Sequence, residues 1–590
     1  MLEIYVIAPL AVSAVVALLA RNRKSMGVRY LALAASMLSL LMIIASYPAN
    51  AGQLHSITWF GFSGYSFAIT ISTMPLNMLL LFIVGIMTPL ILLYSIGFMD
   101  VPSEQSRYYA EICIFAAAMM IFSIAGDFIT MMIGWELLGI SSYLLIGFWY
   151  HHEGAPQAAR KAATTVLIGD VMMLAAMLII WNAYHTFVFS QLINSQVTSM
   201  PMEISLVLVM LAVFTKSAQF PFHEWLPDAM KGPTPVSAFL HSSTMVKAGV
   251  FLVAVLLPLF SRYHMLPMLL VFGLVTAILG VSNALAENNL KRVLAYSTIE
   301  DLGLMFVALG TGSLPAAMML FAVQTFYKAL LFMSAGSIMK ANGYEEELDR
   351  LYVRRSYLQL LIPTVIGVVS LAGIYPLSGF FGKSAVYAAT GNLWVYAILL
   401  MLETGSSIYI FRWLLIPMRK KPEKVKSKAD ANYVTLPKSM LLPIYMLAAL
   451  AAAAGIVIYH YMPAYLGQQG IPAGALDIAV SGLISTIGFI AAFYLFYKRP
   501  ISRARQDLIH KLLYNNAAAN RAYSHIAAIP IMLSRAVESL DYSLYNSVKG
   551  AGRSVNESGN LLKRLETGNI NTYIAVFVLG MLVMLAIFIL

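Results

Sequence analysis

Runs of about twenty apolar residues recur along this chain from end to end, roughly sixteen of them, each long enough to cross the hydrocarbon core of a bilayer as a helix. In lipid the backbone has no water to bond with, so a spanning segment must be a helix or part of a closed barrel. Runs of this length select helices. The composition agrees: 60% of the 590 residues are hydrophobic and only 11% are charged, which excludes an ordinary soluble domain. Leu2 to Ala20 runs straight into Arg21, Asn22, Arg23 and Lys24 with no small-residue cleavage site, so it reads as the first span rather than a cleaved leader. The expected fold class is an all-α polytopic membrane protein.

The net charge of +11 could suggest nucleic acid as a partner, but the distribution of the basic residues argues against it. They alternate between connections as orientation signals do. One set holds Arg21, Arg23, Lys24 and Arg29, then Arg107, then Arg160 and Lys161, then Lys231, then Lys291 and Arg292. The series continues through Lys340 to Arg355, Arg419 to Lys438, and Lys498 with Arg499. The opposite connections, including the loop from Tyr47 to Met74, hold almost none, Arg262 being the main exception. This pattern predicts that the basic connections face the cytoplasm and that both termini lie on the outer side.

Against this apolar background the stretch from Lys216 to Lys247 stands out, with two lysines, two histidines and the prolines Pro221, Pro227, Pro233 and Pro235. A lysine at membrane depth costs about 2.5–3.5 kcal/mol on the insertion scale. Prolines break the helical ladder, which is tolerated in a membrane only where protein or a water-filled cavity serves the freed groups. A second set follows, with Lys328 and then a helix expected to break at Pro376, Gly379 and Gly382 just before Lys383. Two halves that each hold a Pro/Gly-broken helix beside a lysine point to an inverted-repeat transporter with sites near the membrane midplane.

The expected organisation is N-terminal helices over 1–100, a first repeat over 110–260, a second over 265–392 and additional helices over 393–497. From 498 to 566 the chain turns basic and mixed in polarity with a helical rhythm, too polar to cross. It reads as a long amphipathic helix lying along the cytoplasmic surface. At 1.5 Å per residue, roughly 60 residues reach on the order of 90 Å, far enough to lie across neighbouring subunits. Residues 567–590 form the last span.

One cysteine, Cys113, cannot make an intrachain disulfide, a Cys-based zinc site or an iron–sulfur cluster. No glycine-rich phosphate loop or dinucleotide fingerprint is present. No cofactor or metal is therefore expected in this chain, and any redox centres belong to partners.

The segments GWELLGISSYLLIGFW, TKSAQFPFHEWLPDAMKGPTPVSAFLHSSTMVKAG, LKRVLAYSTIEDLG, FYKALLFMSAGS and YPLSGFFGKS resemble the antiporter-like subunits of respiratory complex I. The same segments are similar to the multi-subunit cation/proton antiporters and the membrane-bound hydrogenases. The tail LKRLETGNINTYI with one last span looks like the L-type member, chain 5. The resemblance implies a prokaryotic plasma-membrane location and proton transfer through buried groups. Flavin, iron–sulfur clusters and quinone would sit in partner subunits. Those partners would be other membrane subunits, including homologous antiporter-like chains touched by the surface helix, together with lipid.

By this resemblance Glu136 and Lys216 match the glutamate–lysine pair of the first half-channel, and His241 and Lys247 the relay on the next helix. Lys328 matches the following lysine, and Lys383 the lysine of the second broken helix. Asp170, Lys291, Glu300, Asp301 and Glu403 are supporting candidates. This sequence departs from the pattern in placing Leu320 and Gln324 where histidines are common, and Ser384 where an acid usually follows Lys383.

Desolvation favours the neutral form of a lysine and a neighbouring carboxylate favours the charged form. A Glu136–Lys216 pair that closes and opens would hold and then release a proton toward Lys247. The expected function is thus a proton-translocating membrane subunit of a complex I-like NADH–quinone (or related donor) oxidoreductase. The alternatives are a Na⁺/H⁺ antiporter or hydrogenase subunit, and a structural clamp without transport.

Overall fold

The computed structural model describes residues 6–19, 27–62, 65–99, 104–195, 198–351, 358–418, 436–468, 475–498 and 579. The chain divides into two compact units, Met1–Tyr514 and Asn515–Leu590. The described residues form the first, apart from Leu579. The surface helix expected over 498–566 and the last span expected over 567–590 lie outside the described residues, except for Lys498 and Leu579.

The first unit is a helical bundle. It opens with α1 (Ala8–Leu19) and α2 (Gly27–Asn50), then a β-hairpin of β1 (Leu54–Phe62) and β2 (Tyr65–Ser72). Next come α3 (Pro75–Phe98), α4 (Gln105–Ser123), α5 (Phe128–Ile146), α6 (Ala155–Tyr184), the short α7 (Phe189–Asn194) and α8 (Met200–Lys216). After a break come α9 (Trp225–Asp228), α10 (Thr234–Ser242), α11 (Met245–Val255) and α12 (Leu257–Arg262). Then follow α13 (Leu266–Ala286), α14 (Leu290–Gly310), α15 (Leu314–Ala341), α16 (Leu358–Leu371) and α17 (Ser378–Ala388). Last are α18 (Leu393–Leu415), α19 (Lys438–Tyr465) and α20 (Ala475–Ala492).

Among the described residues, 11 helices are long and apolar enough to cross a membrane. Two shorter apolar helices, α1 and α16, fall outside that set. Local chemistry sets many of the boundaries. Proline stands in the first turn of α3, α6, α8, α10, α13 and α15, where its missing N–H would have no intrahelical partner anyway. Side chains of Asp127, Ser199, Asn289, Ser313 and Asn392 accept from the orphan amides at five helix starts.

The hairpin departs from the all-helical expectation. It is the one sheet among the described residues, antiparallel, with Leu54 opposite Ser72 and Ile57 opposite Ile69. Its β-branched and aromatic content suits a strand, but the expectation for this loop rests on its lack of charge alone. Ser72 N–H donates to Ile124 C=O at 2.7 Å and Gly126 N–H to Thr70 C=O at 2.8 Å, which stitches β2 to the α4–α5 turn. The buried Asp127 completes the joint by accepting from the Thr70 and Thr130 amides and the Thr130 hydroxyl.

The second correction concerns the second broken helix. The interruption lies between Leu371 and Ser378, around Gly373 (φ +77°) and Pro376, not at Gly379 or Gly382. Those two glycines sit inside α17, where a side chain would collide with Ser370 C=O and with the Leu320 backbone. They are close-approach positions that seat α17 against α16 and α15. Glycine plays the same part between α13 and α14: a methyl at Gly280 would meet the Glu300 amide nitrogen at 2.6 Å, so the backbone of Glu300 rides directly on α13.

Among the described residues, the connections that hold Lys161, Lys231, Lys291 and Arg292 gather at one end of the bundle. Lys161 and Arg292 both pair with Asp228 there, at 2.7 and 2.9 Å. At that end a cavity of about 440 Å³ is lined by Lys231, Lys291 and Glu346. A second cavity of about 450 Å³, mostly apolar, lies among the opposite connections, near Ser72, Gly126, Ser261 and Gly312.

Candidate functional site

A line of buried charged groups runs through the bundle, supplied by α6, α8, α11, α14, α15, α17 and α18. It begins where α8 stops, at Lys216, fully buried. The lysine ammonium donates to Trp135 C=O at 2.6 Å and lies 4.0 Å above the indole ring. Its carboxylate neighbour is Asp170 of α6, at 4.0 Å. The Trp135 indole N–H donates to the same Asp170 oxygen at 2.6 Å, so one tryptophan orients both members of the pair. Gly139, one turn along α5, leaves open space over them: a methyl there would stand 4.0 Å from both Asp170 Oδ2 and Lys216 Nζ.

Glu136, expected as the partner of Lys216, is half-buried and makes no ion pair among the described residues. Both carboxylates are close enough to feel the lysine electrostatically, but Asp170 holds the contact. The helical geometry explains this. Trp135 and Gly139 are four residues apart and share the α5 face toward α6 and α8, and Glu136 is turned about 100° from Trp135.

The next lysine lies beyond a break that the sequence pattern does not announce. The span over 234–255 is interrupted between α10 and α11 at Ser243 and Thr244. Their hydroxyls bond back to Phe239 C=O at 3.2 and 2.6 Å, the competition with the helical ladder that Ser and Thr offer. The run His-Ser-Ser-Thr is the one signal available for it. His241 lies in the last turn of α10, buried between the rings of Trp225 and Phe332, with Nδ1 unpartnered. Lys247, fully buried, donates to Phe321 C=O and to Thr325 Oγ1 of α15. Among the described residues no carboxylate stands within 4.0 Å of it.

Two consecutive carboxylates of α14 serve two lysines. Asp301 lies 3.1 Å from Lys328 of α15 and accepts from the Tyr327 hydroxyl at 3.0 Å. Lys328 also donates to Ser297. Glu300 lies 3.5 Å from Lys383 of α17 and accepts from the Ser406 and Tyr409 hydroxyls of α18. Glu300 thus supplies the countercharge that Ser384 cannot. Glu403, fully buried, accepts from Ser481 of α20 and faces the Gly373 turn beside the Lys383 stem. Trp135, Tyr327, Ser406, Tyr409 and Ser481 are absent from the sequence-based candidates, since hydroxyls and an indole within apolar runs carry no distinguishing local pattern.

Between these stations several buried polar atoms have no hydrogen-bond partner: Ser217 Oγ, His241 Nδ1, both amide atoms of Gln324, Asp301 Oδ1 and Glu403 Oε2. Buried polar groups in native proteins are nearly all bonded to protein or ordered water. A string of orphaned atoms beside buried lysines is therefore where bound water fits.

At the basic end Lys291, buried at the start of α14, lies 3.0 Å from Glu346 Oε1. Burial raises the Glu346 carboxyl, but Lys291 and the Asn289 amide outweigh it and leave the group below its ordinary value of 4.5. A carboxylate held low in the folded state stabilises fully above the ordinary value, and that contribution fades as pH falls beneath it. Glu346→Gln is expected to lower the thermal midpoint of the purified protein at pH 7. The difference from wild type should shrink as pH drops from 4.5. A difference independent of pH would mean that the ion pair contributes nothing.

Residues 125–408, spanning both broken helices, match the family described as NADH:quinone oxidoreductase/Mrp antiporter, TM. Over those residues this chain is similar to that family. It is 29% identical to the F(420)H(2) dehydrogenase subunit L of Methanosarcina mazei, over 93% of this chain and 92% of that one. It is 28% identical to the NADH-quinone oxidoreductase subunit L of Rickettsia bellii, over 94% and 93% of the two chains. In fold it is similar to a chain of the Mrp complex from Dietzia, with a TM-score of 0.72 at 24% identity. That match covers 90% of this chain and 62% of the other.

Proposed function

We propose that this chain is the proton-translocating membrane subunit of a complex I-like quinone oxidoreductase, in which partner subunits carry the redox chemistry. The supporting observation is the buried series Lys216–Asp170, Lys247, Lys328–Asp301, Lys383–Glu300 and Glu403, held by helices of both repeats. Intramembrane ionisable groups are costly and rare outside ion pathways. Two relatives named as L subunits, one of an F(420)H(2) dehydrogenase and one of an NADH-quinone oxidoreductase, align with more than nine-tenths of the chain.

A carboxylate beside a buried lysine holds a proton on it, and separating the two releases that proton. Among the described residues Lys247 has a carbonyl, a hydroxyl and the Phe321 ring as partners and no carboxylate, which suits a station that hands charge on. It stands between two carboxylate-bound lysines and passes charge from the Lys216 side to the Lys328 side. In this reading the basic connections face the cytoplasm, the location is the plasma membrane of a prokaryote, and both termini lie outside. Flavin, iron–sulfur clusters and quinone reside in partners, among them homologous membrane subunits reached by residues 498–566.

Purifying the native complex through a tag on this chain, with mass spectrometry of its partners, tests the assembly. Flavin- and iron–sulfur-binding partners are expected. A set of small membrane proteins without redox centres, with sodium-dependent transport, would replace the proposal with a secondary antiporter. Lys216→Ala in that complex is expected to assemble and to lose proton movement in inverted vesicles by about a hundredfold, the scale of removing a positioned acid–base group. Normal pumping would leave a clamp role.

A further inference from the structure

The cavity of about 450 Å³ at the end opposite the basic connections takes no part in the lysine series. Helix ends enclose it: Leu76 from the first turn of α3, Leu314 from the start of α15, Val255 from the end of α11, and Phe189 and Ile193 from the short α7. Close by, the Tyr184 hydroxyl stands 2.7 Å from Ser199 Oγ, and the Tyr263 hydroxyl accepts from Ser199 N–H at 2.9 Å, where α8 begins. Tyrosines gather where the hydrocarbon of a bilayer meets its headgroups. The cavity opens at that boundary.

Its wall asks for an apolar occupant. The volume falls within the roughly 300–1,000 Å³ of small-molecule sites. Ser72 and Asn77, the buried polar side chains of the wall, bond each other at 2.8 Å. The Asn77 amide also donates to Ser123 C=O at 2.7 Å and Ala125 C=O at 3.2 Å. Neither leaves a buried polar atom unpartnered, unlike the lysine series, so the inner wall offers water little to bond. Leu54 and Met74 at the lip are 41% and 38% exposed, apolar surface that such an occupant covers.

A cation stands at the same lip. Arg262, the main basic residue of the connections at this end, follows Ser261, which lines the cavity. Its guanidinium donates to Ser195 C=O and, at 2.7 Å, to Ile193 C=O. Bonding the last carbonyls of α7 is one use for an arginine there. It occupies two of the five N–H donors of the fork. Among the described residues no carboxylate pairs with Arg262. The remaining donors suit the oxygens of a phosphate.

We propose that this cavity holds one acyl chain of a membrane phospholipid whose phosphate rests on Arg262. The chain leaves the bilayer at little hydrophobic cost, since lipid tails are as apolar as the wall, and it displaces water from apolar surface. Its occupant touches the hairpin, α3, α7, α11 and α15 together. A seated lipid therefore braces the ends of the two helices that carry Lys247 and Lys328.

Photolabelling tests the site without reference to transport. The native complex is reconstituted in phosphatidylglycerol vesicles with a trace of phosphatidylglycerol bearing a diazirine near the end of one acyl chain. After illumination the labelled peptides are weighed. Label is expected on the peptides that hold Val255 and Leu314. Ala254→Trp, which fills the cavity from α11, should cut that label about tenfold, and so should Ser190→Trp at the α7 side, the variant to use if the first folds poorly. Label on the exposed α6 positions Leu174 and Leu178 should not change. Arg262→Gln should cut the cavity label about tenfold at limiting lipid, the scale of one charge-assisted hydrogen bond, and Arg262→Lys should keep most of it. No label on the cavity peptides, as when a protein segment fills the space, overturns the proposal. Label that survives both tryptophan variants, or that is equal with Arg262 and Arg262→Gln, overturns it as well.

Discussion

Lys383→Ala is expected to abolish proton transfer and also to weaken the protein, and the second effect should vanish when Glu300 is changed with it. Lys383 and Glu300 are each 1% exposed and 3.5 Å apart. Removing the lysine alone strands a buried carboxylate, which costs about 3–5 kcal/mol. Removing both partners of such a pair is close to neutral. The single variant should therefore show a depressed thermal midpoint in detergent, and Lys383→Ala/Glu300→Gln should recover most of it. Transport should stay about a hundredfold down in both, because neither carries the ionisable group at α17. Recovery of transport by the double variant would mean that the pair is a structural bolt. Ser406 and Tyr409 sharpen the test, since both can donate to a carboxylate or to the glutamine oxygen. Local geometry then survives the change of charge.

Much of this architecture is legible in the amino-acid sequence, for identifiable reasons. Apolar run length gives the helices, since a bilayer fixes how long a span must be. The alternation of basic connections puts Lys161, Lys231, Lys291 and Arg292 on one side, and the structure brings them together there. The lysines stand out as isolated charges in apolar surroundings. Their partners are harder to see. Glu300 and Asp301 are adjacent in sequence but serve lysines 83 and 27 residues away on different helices. Adjacent residues of a helix point about 100° apart, so α14 turns Asp301 toward Lys328 of α15 and Glu300 toward Lys383 of α17. The breaks are half-legible. Prolines announce two of them, yet Gly379 and Gly382 are packing positions, and the hydroxyl-rich Ser243–Thr244 interruption carries no proline or glycine to mark it. The hairpin's strands hide behind an absence of charge that says where a loop lies but not what it forms.

Asp170 and Glu136 separate the sequence reading from the structural one most sharply. Asp170→Asn is expected to lower both stability and transport, because it takes the countercharge from a fully buried lysine. Glu136→Gln is expected to lower transport with stability changed by less than about 0.5 kcal/mol, as for a group outside any buried pair. The physical reason is position. Asp170 is held by the Trp135 indole against Lys216, and Glu136 is half-buried on another face of α5. A double-mutant cycle on thermal stability decides it. Asp170→Asn with Lys216→Ala should be strongly non-additive, and Glu136→Gln with Lys216→Ala should be additive within about 0.5 kcal/mol. If instead Glu136 couples to Lys216 and Asp170 does not, Glu136 swings onto the lysine in the resting protein. With the coupling on Asp170, the proton rests on an Asp170–Lys216 pair, and Glu136 remains the group able to approach Lys216 through the gap left by Gly139, four residues from Trp135. The switch would then be an exchange of carboxylates at one lysine, with Trp135 fixing the resting partner.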